Sequence, residues 1–255
     1  MNHPILYDKE QVQKSQQRLL EMAIIVKSIL ENNNIPYFLA QGSLLGAVRN
    51  GGFIPWDDDL DLYLFEDGYS HSLSILRESL PSDLFLEDKF SEPLYFHDWA
   101  HVKDLSTECT CEQFPQDSYY AHKGLSIDLY IMYQMKQRDW PKFKFDKALE
   151  YLGTMRNNRL ISEEQYKVKS GLFHKQYIDR IRVIDDSEEI VYGSTVSSRI
   201  YKARDIIPLS SIIFEGYHFS APNNCDGYLR TLYNNYQLLP PVEKRVPHYS
   251  SVIFK

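Results

Sequence analysis

The stretch Asp59-Leu60-Asp61-Leu62-Tyr63-Leu64 alternates acidic and apolar residues at a period of two. Side chains two apart share one face of a strand, so the spacing predicts a strand with one buried and one acidic face. Asp59 and Asp61 then stand side by side, and neighbouring carboxylates repel unless something positive lies between them. A hard divalent cation, Mg²⁺ or Mn²⁺, suits such a pair because it takes oxygen ligands and keeps positions for phosphates. Taken alone, an Asp-x-Asp strand is more often a solvated acidic face.

Two further features reverse that balance. Tyr37-Phe38-Leu39-Ala40 is an apolar run bounded by Pro36 and Gly42, a strand candidate, and Leu44–Arg49 can form a short helix ended by Asn50-Gly51-Gly52. Gly42-Ser43 therefore sits at a strand-to-helix junction. There a glycine lets a ligand approach the backbone, free N–H groups attract phosphate and the Ser43 hydroxyl adds a donor. The ordinary alternative is a helix cap. The second feature is Asp128, an acid within the apolar run Leu125–Ile131. A carboxylate there is costly to bury unless paired or metal-bound, the alternative being an outward-facing position on an amphipathic strand. Together, Gly42, Ser43, Asp59, Asp61 and Asp128 outline a phosphate- and metal-binding site.

The remaining chain frames that site. Asp8 with Gln11 reads as a capping box opening a helix through Leu19, Ala23, Val26 and Leu30, which Asn32-Asn33-Asn34 stops. Tyr69, Leu73, Leu76 and Leu80 mark a second helix closed by Pro81, and Leu125–Met132 reads as a strand. From Asp139 to about Ile184 the pattern is helical and highly charged, so 139–205 is expected as a helical insertion or subdomain within one domain spanning 1–255. Ile212–Phe219 looks like a hairpin strand, followed by a helix at Tyr228–Tyr236. Helices and strands mix without regular alternation, which gives α+β.

Composition narrows the class. The 255 residues carry 28 Lys+Arg against 35 Asp+Glu, a formal charge of −7, which argues against non-specific nucleic-acid binding. The longest apolar runs, Met22–Val26 and Leu129–Tyr133, are far shorter than the roughly 18 residues of a membrane span. Met1–Pro4 lacks the basic start and apolar stretch of a signal peptide. The odd set Cys109, Cys111 and Cys225 forms no disulfide framework and, with His97, His101 or His122, makes a poor zinc site at a Cys-x-Cys spacing. A cytoplasmic protein is the expectation.

The motifs resemble a known family. Gly42-Ser43, Asp59-Leu60-Asp61 and Ile127-Asp128-Leu129 resemble the three signature elements of the nucleotidyltransferase superfamily. The stretch GSLLGAVRNGGFIPWDDDLD, Gly42–Asp61, is similar to the LicD family, the phosphocholine transferases of bacterial surface glycans. The similarity extends to Ile35–Leu39 and to Phe214-Glu215-Gly216, Tyr228-Leu229-Arg230, Pro240-Pro241 and Glu243-Lys244-Arg245, with Asn50 standing where histidine is more usual.

The resemblance implies a nucleotidyltransferase-like mixed β-sheet flanked by helices. It implies transfer of phosphocholine from CDP-choline to a glycan precursor of teichoic acid, lipopolysaccharide or capsule, with a lipid-linked acceptor and a peripheral place at the inner membrane face among its options. CDP-glycerol or CDP-ribitol as donor, and nucleotidyl transfer to a small molecule, are the alternatives. Asp59, Asp61 and Asp128 would hold the metal, Asp128 also serving as general base. Gly42, Ser43 and Arg49 would bind donor phosphates, Arg49 having a salt bridge to Asp57 or Asp58 as its ordinary role. Asp57 and Asp58 would orient the metal site or the turn. Choline favours aromatic faces, for which Tyr95, Trp99 and Tyr120 are candidates against core packing. Lys103 and Lys123 read as surface lysines with phosphate contact as the alternative.

Overall fold

A computed structural model describes residues 7–112, 119–181 and 187–255. The residues read for a signal peptide, and Ile184 at the end of the charged helical pattern, lie outside the described residues.

The chain opens with α1 (Lys9–Asn32), β1 (Tyr37–Leu39), α2 (Gln41–Asn50), β2 (Leu60–Phe65) and α3 (Tyr69–Ser79). There follow β3 (Leu84–Glu87), β4 (Ala100–Asp104), β5 (Thr107–Thr110) and the long β6 (Ser126–Lys136). A helical pair, α4 (Trp140–Asn157) and α5 (Glu163–Ile181), precedes β7 (Ile190–Gly193), β8 (Ile200–Lys202) and the short α6 (Ala203–Ile206). The chain closes with β9 (Ser210–Phe214), β10 (Tyr217–Ala221), α7 (Cys225–Tyr233) and β11 (Ser251–Phe254).

The central sheet runs β1-β2-β6-β4-β3, and the far half of β6 continues into β7 and β8. β2 and β6 are parallel; their other pairings are antiparallel, so the sheet is mixed and the fold α+β. Register sorts the residues of the central strands between the two faces. Leu60, Leu62 and Leu64 lie beside Ile127, Leu129 and Ile131, and Val102 beside Ile127. Those residues join Leu19, Met22, Ala23, Val26 and Leu30 of α1 in one core. The alternate residues form the face that carries the chemistry.

Local expectations hold where the pattern repeats within one element. Asp8 caps α1 by accepting the N–H groups of Glu10 and Gln11. Gln11 does not complete a capping box: its side chain accepts the Val252 N–H of β11 at 3.1 Å. Leu44–Arg49 belongs to a helix that starts earlier, at Gln41, and α7 ends at Tyr233, short of Tyr236. In 139–205 the helical part is α4 and α5, while β7 and β8 extend the sheet. Among the described residues no helix is long and apolar enough to cross a membrane.

Candidate active site

The polar face of the sheet is a ladder across four strands. Asp61 of β2 lies in register with Asp128 of β6, Asp128 with His101 of β4, and His101 with Glu87 of β3. His101 Nε2 is 3.2 Å from Asp128 Oδ1, and Nδ1 is 3.3 Å from Glu87 Oε2 and 3.0 Å from the Tyr95 hydroxyl. The Tyr130 hydroxyl donates to Asp128 Oδ2 at 2.7 Å. Protein groups thus orient both oxygens of Asp128, and each oxygen keeps a lone pair for another partner.

Asp59 immediately precedes β2 in the loop Trp56–Asp59, and this loop is tied down from three sides. Gln16 of α1 donates to the carbonyls of Ile54 and Asp57, at 3.0 and 2.7 Å. Glu215, in the turn between β9 and β10, accepts the Phe53 N–H at 2.9 Å. Asp58, 1% exposed, accepts the backbone N–H groups of His248 and Tyr249 at 2.7 and 3.1 Å, drawing the segment before β11 over the loop. His248 Nδ1 then faces three carboxylates, with Asp58 at 3.2 Å, Asp59 at 3.4 Å and Asp57 at 4.0 Å.

Among the described residues the closest grouping of candidate metal ligands is therefore Asp57, Asp59 and His248, with donor atoms within 4.8 Å of one another. It overlaps the expected Asp59, Asp61 and Asp128 set only at Asp59. Asp61 stays close enough to matter: burial first, then the charges of Asp59, Asp128 and Asp57, push its carboxyl well above the usual range. Asp57 is raised in the same way by burial and by Asp59, with which it shares a hydrogen bond, and Asp59 is raised by burial against the opposing pull of His248. The hydrogen bond to Asp58 and the charge of Asp59 lift His248 to about 10. Asp61 is 4% exposed, and its Oδ1 is buried without a hydrogen-bond partner. A solvated acidic strand face is therefore excluded. Crowded, buried carboxylates with an orphaned oxygen are a donor set that a hard divalent cation fits.

Gly42 and Ser43 occupy the first turn of α2, whose N-cap Ala40 offers no side-chain cap. A Cβ at Gly42 would lie 2.9 Å from Asp57 Oδ2, so the glycine makes room for that carboxylate. Ser43, 3% exposed, accepts the Asp61 N–H at 2.9 Å and fixes β2 against α2, while its own hydroxyl proton remains free to donate. Arg49 donates to the Tyr236 carbonyl and to Asn50 Oδ1, and no ion pair with Asp57 or Asp58 forms among the described residues. Arg245 lies over the Trp56 ring, 5.6 Å from its centroid.

A cleft of about 1080 Å³ opens on this face, lined by Asp59, Asp128 and His248 at the acids and by Lys144, Tyr177 and Arg180 from the helical pair. Tyr95 and Trp99 line it too. Tyr120, 2% exposed, stacks on Tyr95 at 5.3 Å and packs with Phe96 in a small second core, so it serves packing rather than an open cage. The cysteines are free, Cys111 Sγ contacts the His248 carbonyl, and no cysteine joins a metal cluster among the described residues. His101 sits in Ala100-His101-Val102-Lys103, whose period-two pattern is a strand signal. His248 has no local signal, because tertiary pairing brings it to Asp58.

Residues 34–151 match the LicD/FKTN/FKRP nucleotidyltransferase domain family. The chain is 24% identical over 241 residues to the lipopolysaccharide cholinephosphotransferase LicD of Haemophilus influenzae, an alignment covering 87% of this chain and 89% of that protein. An uncharacterized protein of Rickettsia prowazekii is 41% identical over 146 residues, 55% of this chain and 49% of that one. A stretch of 47 residues, 18% of this chain and 10% of the relative, is 49% identical to human ribitol 5-phosphate transferase FKRP.

Proposed function

We propose that this chain, which carries a LicD-family domain over residues 34–151, is a phospho-alcohol transferase that moves phosphocholine from CDP-choline to a sugar hydroxyl of a cell-surface glycan precursor. The observation that carries the reading is the register of Asp61 and Asp128 on adjacent parallel strands, beside Asp57, Asp59 and His248 at one end of the cleft. The likeness to a cholinephosphotransferase over most of the chain supports choline as the alcohol.

Transfer of this kind depends on positioning and on neutralising phosphate charge. A divalent cation, Mg²⁺ or Mn²⁺, supplies that neutralisation when bound. Asp57, Asp59 and His248, with Asp61 beneath them, are the residues that would hold it. Asp128, held by His101 and Tyr130, takes the proton of the attacking sugar hydroxyl as the new O–P bond forms; the diphosphate bond breaks and CMP leaves with the electron pair. Ser43 holds Asp61 in place, and the N–H groups at the start of α2 face developing negative charge favourably. Trp99 offers aromatic surface in the cleft to a quaternary ammonium, while Tyr95, 3% exposed and packed with Phe96 and Tyr120, backs it from the small second core. A lipid-linked acceptor would place the enzyme at the inner face of the membrane.

The test incubates the protein with Mg²⁺, CDP-choline and an acceptor saccharide. A phosphocholine mass increment with CMP release is expected, and Asp59→Asn or Asp61→Asn loses it; full activity in either variant overturns the assignment. The likeness to a ribitol 5-phosphate transferase favours CDP-ribitol as the second donor to try, with CDP-glycerol beside it. Pyrophosphate release from a nucleoside triphosphate would instead mark nucleotidyl transfer.

A further inference from the structure

Lys103 is expected from sequence as a solvated surface lysine, yet it is 6% exposed. It lies in β4 two residues beyond His101 and opposite Ser126 of β6, so it projects from the same sheet face as His101 and Asp128. It lines the cleft shared by Asp59, Asp128 and His248. Its backbone pairs with β3 and β6, while among the described residues its ammonium makes no hydrogen bond and no ion pair.

The nearby acids are committed elsewhere. Asp104, its chain neighbour, accepts from Arg18, Ser106 and Thr107, and Asp128 is held by His101 and Tyr130. Its charge is nonetheless felt locally, since it opposes the rise that burial imposes on the Cys109 thiol. The buried part is the aliphatic stem, and the ammonium at its end is left available to a ligand in the cleft. A cation with these properties beside a carboxylate cluster suits an anion that bridges the two, and an ammonium is a compact point charge well matched to phosphate.

We infer that Lys103 binds the diphosphate of the nucleotide-activated donor from the β4 side of the cleft. This rests on the phospho-alcohol reading and adds to it the residue that recognises the nucleoside diphosphate.

The test uses the full chain with Lys103→Met, which keeps length and removes charge, and with Lys103→Arg, which keeps charge. CDP and inorganic pyrophosphate are titrated by calorimetry in the presence of Mg²⁺, and ligand-free thermal unfolding is recorded in parallel. The expected result is at least a tenfold loss of affinity for both probes in Lys103→Met, partial retention in Lys103→Arg, and a ligand-free Tm no lower than that of the parent. Unchanged affinity for both probes in the folded Lys103→Met variant overturns the inference, and a lowered Tm beside it makes Lys103 structural. If both probes bind through Lys103 but no CDP-alcohol supports transfer, it is the phospho-alcohol reading that fails, and the anion site stands.

Discussion

At the scale of single residues, the site is built by removing atoms as much as by adding charge. Gly42 is the clearest case. Its missing side chain leaves room for the Asp57 carboxylate, which approaches to 2.9 Å from where a Cβ would stand. Gly52, just past the other end of α2, leaves similar room: a Cβ there would strike the Glu215 carboxylate that anchors Phe53. An added methyl at Gly42 meets the end of the Asp57 side chain, so the carboxylate must move. Gly42→Ala is expected to fold, since alanine suits a helix better than glycine by about 0.5–1 kcal/mol. Its kcat/KM is expected to fall by tenfold or more, about 1.4 kcal/mol of transition-state stabilisation. Circular dichroism and steady-state kinetics check the pair of outcomes, and an unimpaired variant would detach Asp57 from the chemistry.

At the scale of elements, the segment before β11 acts as a clasp. β11 pairs antiparallel with β5, and Asp58 takes three N–H groups from His248 and Tyr249 just ahead of it. Asp58→Asn turns one of the two acceptor oxygens into a donor facing a donor. Hydrogen bonds to a buried charged group contribute about 1.5–3 kcal/mol each, so a loss of that order is expected in denaturant unfolding. Faster amide exchange across Ser251–Phe254 should accompany it, and unchanged exchange there would show that β5 alone holds the tail.

This is also where the sequence stops being legible. β2, α1, α3 and the β9–β10 hairpin could be read because each repeats its apolar period within a few residues of itself. Asp59-x-Asp61 and a lone Asp128 could be picked out because they are local anomalies with a physical cost, whereas Asp57, which joins Asp59 and His248 in the closest group, reads only as orienting the metal site or the turn. β4 was missed because His101, Lys103 and Asp104 make a short stretch look solvated, although all three are buried in the fold. β7 and β8 were hidden inside a stretch whose charge and helical period came from α4 and α5. His248 could not be read at all: its partner Asp58 lies 190 positions earlier, a distance that only the folded chain closes.

At the scale of the whole molecule, opposing electrostatic arrangements set how stability follows pH. Asp104 is buried, which alone would raise its carboxyl, but hydrogen bonds from Arg18, Ser106 and Thr107 outweigh burial and hold it below the usual range. A depressed acid contributes stability above its unfolded pKa of about 3.9 and loses it as pH falls through the folded value. Asp57, Asp59 and Asp61 act in the opposite sense, because their raised carboxyls favour holding protons in the folded state. Their contribution falls as pH rises above about 4. His248, raised to about 10, contributes stability that is complete below about 6.5 and lost as pH climbs through 10. The metal-free protein is therefore expected to have its highest Tm in mildly acidic solution and to lose stability steadily toward pH 9. A divalent cation takes the place of those protons, and its binding strengthens as the carboxylates ionise. Thermal unfolding with and without excess Mg²⁺ or Mn²⁺ at pH 5.5 and pH 8.5 measures this directly. The metal should raise Tm more at the higher pH, and Asp59→Asn should remove most of that difference. An equal shift at both pH values would mean that the carboxylate cluster is not where the cation binds.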